Sequence, residues 1–126
     1  MPSIDQIRKA VEGYVDSFNT QDRDRFLALF TDDVSQIDPV GSDPNVGAGA
    51  IAQFWDNLYS DVDGIDFRVD DLIVSGDEAA LVFTIVQSKG DSKLTLRGVD
   101  TFRVNDSGRI TLIKGYCDSD HITATG

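Results

Sequence analysis

Three side chains in this sequence, one phenol and two carboxyls, are of types that could carry out acid–base chemistry. Tyr14 is a phenol, Asp38 is a carboxyl directly before a proline, and Asp100 is a carboxyl within Val-Asp-Thr-Phe-Arg. An ionised carboxylate can accept a proton, and a phenol or a neutral carboxylic acid can donate one. The combination predicts acid–base chemistry carried by carboxylates and a phenol.

Asp100 lies where a charge is least expected. In a strand predicted over residues 94–104, the two-residue alternation of side chains places Asp100 on the apolar face. That face consists of Leu96, Gly98, Asp100, Phe102 and Val104. Burial there favours the neutral acid, since an unpaired buried carboxylate is costly. The alternative is an aspartate that forms a salt bridge across the sheet or marks a β-bulge.

Tyr14 and Asp38 carry weaker signals when each is taken alone. Tyr14 lies on the apolar face of a predicted helix, where an aromatic residue is usually core. Asp38 begins the run Asp-Pro-Val-Gly-Ser, which is typical of an Asx turn. Their combination with a buried acid, at the mouth of a sheet covered by helices, is what favours a site.

Composition excludes several other kinds of chemistry. The chain has 126 residues, with 11 Lys and Arg against 22 Asp and Glu, a net charge of −11. Such an excess repels phosphate backbones and anionic lipids, so we expect neither a nucleic-acid nor a membrane partner. Single Cys and His residues leave no disulfide and no multi-Cys or paired-His metal site. If the protein is an enzyme, its acid–base work must therefore come from carboxylates and phenols.

Three short motifs are better explained as structure than as sites. Residues 47–52 fit G-x-G-x-x-A, but a dinucleotide fingerprint must follow a strand of a parallel sheet. Asp61, Asp63 and Asp66 lack the further ligands of a calcium loop. Cys117 and His121 lie at a strand end and in a polar tail. Their spacing does not by itself bring the thiol and the imidazole into contact, so we expect no thiolate–imidazole pair.

The predicted elements are helices followed by an antiparallel meander. Helices are expected over residues 3–19, from 22 to about 31–33, and from about 49, with residues 34–38 extended and 38–47 in a loop. Strands are expected over 67–75, 79–88, 94–104 and 109–117. Ser3 and Gln6 are spaced as a capping box. This order predicts one α+β domain over residues 1–126. The first residues lack the apolar segment of a signal peptide, and no apolar run could span a membrane, so we expect a soluble, cytoplasmic protein.

With these elements in place, the sequence resembles the steroid Δ5-isomerases (ketosteroid isomerases) over nearly its whole length. The Phe-Asn-Thr-Gln-Asp and Ala-Leu-Phe-Thr-Asp-Asp segments within residues 15–34 resemble the wider nuclear-transport-factor-2-like superfamily. Asp38-Pro-Val-Gly-Ser-Asp-Pro resembles the loop with the catalytic base, and Tyr14 and Asp100 fall on the oxyanion-hole tyrosine and protonated aspartic acid. The resemblance implies a cone-shaped fold, with N-terminal helices packed on a curved antiparallel sheet around an apolar pocket.

The resemblance also implies a reaction that needs no metal and no cofactor, because the carbonyl of the substrate serves as the electron sink. Asp38 would remove a proton from C4 of a 3-oxo-Δ5-steroid and return it to C6, while Tyr14 and protonated Asp100 hydrogen-bond the C3 oxygen. Phe30, Phe54, Trp55, Phe83, Ile85, Phe102 and Tyr116 would bind the steroid, although core packing is the ordinary interpretation of such apolar residues. Trp55 stands where family members have a tyrosine hydrogen-bonded to the oxyanion-hole phenol. Cys117 replaces a larger aromatic and would widen the pocket.

Two other functions remain open at this point. One is a different enzyme of the same fold, such as a polyketide cyclase or an epoxide hydrolase, and the other is a binding module for a hydrophobic ligand. Ala80, Val82, Thr84 and Val86 form the outer face of the second predicted strand. This partly apolar surface predicts a homodimer contact.

Overall fold

One seven-stranded sheet, covered on one face by helices, forms the body of the protein. The computed structural model describes all 126 residues. The helices are α1 (Ile4–Thr20), α2 (Arg23–Leu27) and α3 (Ala48–Asp61). The strands are β1 (Phe30–Ile37), β2 (Asn45–Val46), β3 (Gly64–Ser75), β4 (Glu78–Lys89), β5 (Ser92–Val104), β6 (Ile110–Tyr116) and β7 (Ile122–Thr125), with a 3-10 helix at Ser119–His121. The predicted α+β class, helices packed on a curved sheet, is confirmed.

Helix α1 begins and ends at residues suited to those positions. The predicted capping box is present, since the Ser3 hydroxyl accepts from the Gln6 amide N–H (3.1 Å) and Gln6 Oε1 accepts from the Ser3 N–H (2.9 Å). Gln21 ends the helix in the left-handed conformation, and Asp22 then caps α2. The buried face of α1 carries Ile7, Ala10, Val11, Tyr14, Val15 and Phe18. This face fixes Tyr14 toward the sheet.

The strand order is β2-β1-β6-β5-β4-β3, and β7 pairs with β5. Strands β3 to β6 form the predicted antiparallel meander. Strand β1 runs parallel to β6, which makes the sheet mixed. A register shift between Val69 and Asp71 interrupts the β3–β4 pairing, and such bulges bend a sheet. The curved inner face faces the helices.

Five elements differ from the sequence-based expectation. Helix α2 ends at Leu27, and β1 already begins at Phe30, four residues before the expected extended segment. Phe30 pairs with Ile110 of β6 and its ring packs on Phe26 (5.0 Å), so tertiary contacts override local helical preference here. Strand β3 begins three residues early, at Gly64. The short strands β2 and β7 have no counterpart among the predicted elements, and β7 occupies part of the expected polar tail.

The core lies between the helices and the inner face of the sheet. It contains 19 buried apolar residues, drawn from all three helices and from five strands. Helix α1 packs mainly on β3, while α3 covers β1 and β2. None of the three helices combines the length and the apolar character needed to cross a membrane.

Candidate active site

Tyr14 lies deep under the sheet, surrounded by aromatic rings. Its residue surface is only 3% exposed. The rings of Phe18 and Phe102 contact it edge-on at 5.0 and 5.1 Å, and Phe67 does so at 5.9 Å. Edge-to-face packing of this kind holds an aromatic ring in one orientation. The Tyr14 hydroxyl is therefore directed by a rigid cluster.

Asp100 is buried on the inner face of β5, as the alternation predicts. It is 5% exposed, and its register partners are Leu81 of β4 and Gly115 of β6. No salt bridge involves Asp100. The cross-sheet ion pair, left open from the pattern, is absent. Asp100 is an acid held inside an apolar sheet face without a cation.

Asp38 follows β1 and lies in the loop that leads to β2. The Asn45 side chain donates to Gln36 Oε1 (3.0 Å), which ties the two ends of this loop together. The Val40 N–H donates to the Gly115 carbonyl (2.8 Å), which fastens the loop to β6. The Asp38–Pro39 peptide bond is cis. Asp38 retains contact with solvent, while its carboxyl is directed toward Gly115 and Asp100.

Burial and the charge of Asp38 give the two carboxyl groups different pKa values. Burial raises the pKa of Asp100 well above its usual value, and the negative charge of Asp38 raises it further. Burial also raises the pKa of Asp38. Because Asp38 still meets solvent and Asp100 does not, Asp38 ionises first and Asp100 keeps its proton to higher pH. The pair therefore supplies one base and one neutral acid.

The phenol belongs to the same electrostatic group. Burial raises the pKa of Tyr14 well above its ordinary value, and the charges of Asp100 and then Asp38 add to the increase. The Tyr14 hydroxyl therefore remains protonated and available as a donor. Tyr14 and Asp100 present two protons from neighbouring positions, and Asp38 presents a carboxylate. This arrangement can abstract a proton and stabilise the resulting oxyanion.

All three groups open into one cavity of about 230 Å³, which we call the inner cavity. Its other lining residues are Phe18, Phe54, Leu58, Ile65, Phe67, Phe83, Ile85, Gln87, Leu96, Gly115, Tyr116 and Cys117. Eleven of the fifteen lining residues are hydrophobic. A few convergent polar groups in an apolar cavity are typical of sites for small organic ligands.

The structure revises the expected lining of this cavity. Phe54, Phe83, Ile85 and Tyr116 lie on its wall, whereas Phe30, Trp55 and Phe102 lie in the core behind it. Phe30 packs on Phe26, and Phe102 supports the Tyr14 ring. None of these three side chains is among the residues that line the cavity.

Trp55 also has a different neighbourhood from the one that the resemblance implies. Its ring packs on Phe18, Phe26 and Tyr59, at 5.2, 4.6 and 4.6 Å. No hydrogen bond joins it to Tyr14, and the Tyr59 hydroxyl donates to the Phe18 carbonyl instead (2.8 Å). Tyr14 therefore lacks the second phenol that family members place behind theirs, and its polar partners are the two acids.

Sequence reasoning did not assign several cavity residues. Phe18, Leu58, Ile65, Phe67, Leu96 and Gln87 could have been found by extending the inward-facing positions of α1, α3, β3, β4 and β5. Gly115 could have been found as the inward neighbour of Asp100, but a glycine gives no apolar signal. Cys117 lies on the wall, as the resemblance implies.

A second depression lies on the opposite face of the sheet, and we call it the outer groove. It measures about 610 Å³ and is lined by Val40, Asp70, Val82, Phe83, Arg97, Gly98, Val99, Tyr116, Cys117, Asp118 and His121. His121 contacts the Asp118 carboxylate, and the Cys117 thiol faces backbone carbonyls. The Cys117–His121 pair is therefore not a thiolate–imidazole pair.

The remaining motifs have structural roles. Gly47 opens α3 with positive φ after the short strand β2. Asp63 accepts from the Gly90 N–H (2.6 Å), and Asp66 pairs with Arg68 (2.7 Å). No three His, Cys, Asp or Glu side chains converge as a set of metal ligands.

The fold and the cavity place the chain in a known class. The chain belongs to the SnoaL-like domain family, whose model matches residues 11–113. Its fold is that of the nuclear-transport-factor-2-like proteins, with solved structures that overlay along nearly the full length.

Three similar structures illustrate the range of activities on this fold. The Delta 5-3-ketosteroid isomerase of a Mycobacterium species is 27% identical, with a TM-score of 0.86 over 95% of this chain and 98% of that one. Rv0760c of Mycobacterium tuberculosis is 26% identical, with a TM-score of 0.88 over 99% and 100%, and it has also been solved with estradiol-17beta-hemisuccinate. The epoxide hydrolase/cyclase-like enzyme SalBIII, of polyether salinomycin formation, is 18% identical with a TM-score of 0.90 over 99% and 100%, which shows the shared fold alone.

Proposed function

We propose that this protein isomerises 3-oxo-Δ5-steroids to 3-oxo-Δ4-steroids. The observation that carries the proposal is the meeting of a partly solvated Asp38 with a buried Asp100 and Tyr14 in one apolar cavity. Relatives at 26–27% identity include a ketosteroid isomerase and a protein solved with a steroid ester, which supports a steroid as the ligand. The whole chain would act as one cytoplasmic domain.

Each group has one role in the proposed reaction. Ionised Asp38 accepts the proton from C4, and the electron pair moves into a dienolate whose charge collects on the C3 oxygen. The Tyr14 hydroxyl and protonated Asp100 donate hydrogen bonds to that oxygen. Asp38 then delivers the same proton to C6, which completes the conjugated enone. The carbonyl of the substrate serves as the electron sink, so the chemistry needs no cofactor.

The two hydrogen-bond donors, Tyr14 and protonated Asp100, supply much of the expected increase in the isomerisation rate. One good oxyanion donor contributes roughly 3–4 kcal/mol in other enzymes. Ketosteroid isomerases are themselves a known example of an aspartic acid that an apolar site keeps neutral, so that it can donate a hydrogen bond. The apolar wall excludes water and strengthens both hydrogen bonds. Asp38, at the more open side, exchanges its proton readily when the site is empty.

The direct test uses 5-androstene-3,17-dione as substrate. We expect conversion to the conjugated enone, followed as rising ultraviolet absorbance, at a rate proportional to protein concentration. Binding of the steroid without any isomerisation, even at high protein concentration, would instead support a non-catalytic carrier. The steroid ester bound by Rv0760c is the observation that favours this second function.

We also propose that the outer face of the sheet joins two copies of the chain. Ile73 is 58% exposed and Val82 is 36% exposed. Val82 lines the outer groove, and Ile73 pairs with Ala80, two residues before Val82 on β4. Apolar residues grouped on an otherwise acidic surface are typical of a subunit interface.

Light scattering coupled to size exclusion should give twice the mass of the chain, and Val82→Asp should shift the mass toward the monomer. Ile4→Asp is the matched control, because Ile4 is also apolar and exposed but lies on α1. A monomeric wild-type protein at high concentration would contradict the interface.

A further inference from the structure

The carboxyls of Asp38 and Asp100 approach each other over a single residue of β6. Gly115 is the register partner of Asp100 on the inner face of the sheet. A Cβ built on Gly115 would overlap Asp38 Oδ1, lie 2.8 Å from Asp38 Cγ and lie 3.2 Å from Asp100 Oδ1. The place that a side chain would take at this position is thus taken by the Asp38 carboxyl itself.

The presence of glycine at position 115 is explained by the lack of room for a side chain and not by its backbone conformation. Six other glycines, including Gly47 and Gly108, adopt positive φ, where a side chain is strained, but Gly115 does not. Its backbone conformation is open to any residue of a regular strand, and a strand interior ordinarily favours a residue larger than glycine. Close approach of another group is the usual reason for a glycine there.

The backbone of Gly115 also binds the loop that contains Asp38. Its carbonyl accepts the Val40 N–H at 2.8 Å, two residues after Asp38. The loop is therefore fastened next to the position where a side chain would push it away. A methyl group at Gly115 would force the Asp38 carboxyl to move while Val40 stays bound.

We propose that Gly115 is a positioning residue, whose missing side chain lets the Asp38 and Asp100 carboxyls occupy one end of the inner cavity together. The proposal rests on the proposed function for its catalytic consequence, but its geometric part stands without it. Gly115 lines the inner cavity, but in this role it acts through the position of Asp38 and not through a contact with substrate. The charged and titratable groups that face Asp38 are Tyr14 from α1, Asp100 from β5 and Cys117 at the end of β6.

A double-mutant cycle tests the geometry without any assay of activity. In the wild-type background, Gly115→Ala should lower Tm by about 5–10 °C, as overpacking does in a domain of this size. In an Asp38→Ala background the two closest atoms are gone and only Asp100 Oδ1, 3.2 Å from the added Cβ, remains, so the same substitution should lower Tm by less than about half as much. If Gly115→Ala fails to fold and the double variant folds, the proposal is equally supported. If Gly115→Ala lowered Tm equally in both backgrounds, the proposal would be wrong.

Kinetics test the catalytic consequence. Gly115→Ala should lower kcat for 5-androstene-3,17-dione by about 10²-fold, the effect expected of a displaced catalytic group, and leave KM nearly unchanged. Gly64→Ala is the matched control, since Gly64 is also a strand glycine and nothing lies within 4 Å of its added Cβ. It should keep the wild-type kcat. A folded Gly115→Ala protein with wild-type kcat would overturn the proposal, whereas an inactive wild type with the expected Tm cycle would refute only the isomerase function.

Discussion

Replacing Asp38 with Asn is expected to lower kcat for steroid isomerisation by about 10²–10⁴-fold, the usual contribution of a general base. The amide has the size of the carboxyl but cannot accept the C4 proton. Asp38 makes no salt bridge, so the fold should be unaffected. The rate is followed by ultraviolet absorbance, and far-ultraviolet circular dichroism checks the fold.

A control in the same loop separates this chemistry from a change of charge. Asp43→Asn removes one negative charge a few residues away on an exposed part of the loop, and it should retain full activity. The wild-type kcat/KM should fall as pH decreases through the raised pKa of Asp38, because the base becomes protonated. Full activity of Asp38→Asn would contradict the assignment of the base.

The second large effect concerns Asp100, where two substitutions are expected to differ. Asp100→Leu removes the donor and should lower kcat by about 10²–10³-fold, the cost of one oxyanion-hole donor. Asp100→Asn keeps an N–H donor and should lose far less. If both variants were equally active, Asp100 would have no role as a donor.

Asp100 also predicts a dependence of stability on pH. Burial raises its pKa in the folded state, whereas the unfolded chain has an aspartate pKa of about 4. The folded protein therefore holds the proton more tightly, and stability from this group is complete below about pH 4 and is lost as pH rises through the folded-state pKa. The difference in Tm between Asp100→Asn and the wild type should therefore change in favour of the variant as pH increases from about 5 to about 9. Parallel Tm curves for the two proteins would contradict a neutral, buried Asp100.

Local patterns were sufficient to predict much of the fold and the acids of the site. The capping box of Ser3 and Gln6 and the apolar spacing of α1 come from neighbours in sequence, and both are present. The inward orientation of Asp100 follows from strict alternation along a regular strand. These features depend on backbone geometry within one element, which the sequence expresses directly.

Features that depend on partners distant in sequence were missed. The parallel pairing of β1 with β6 joins Phe30 to Ile110, and no local pattern specifies which edge a strand will select. All four residues of strand β7 are exposed, and the strand is held by its pairing with β5. Short exposed segments of this kind lack the apolar alternation on which strand prediction depends.

The sequence also could not predict which inward-facing apolar residues line the cavity and which lie in the core. Phe54 and Trp55 are adjacent on α3, yet Phe54 lines the cavity and Trp55 is enclosed by Phe18, Phe26 and Tyr59. Both are large, apolar and directed inward, so residue type cannot separate them. The difference arises only when the other helices and the curvature of the sheet are known.

Phe83, Tyr116 and Cys117 line both the inner cavity and the outer groove. A substitution at any of these three positions therefore alters the inner cavity and the outer groove at once.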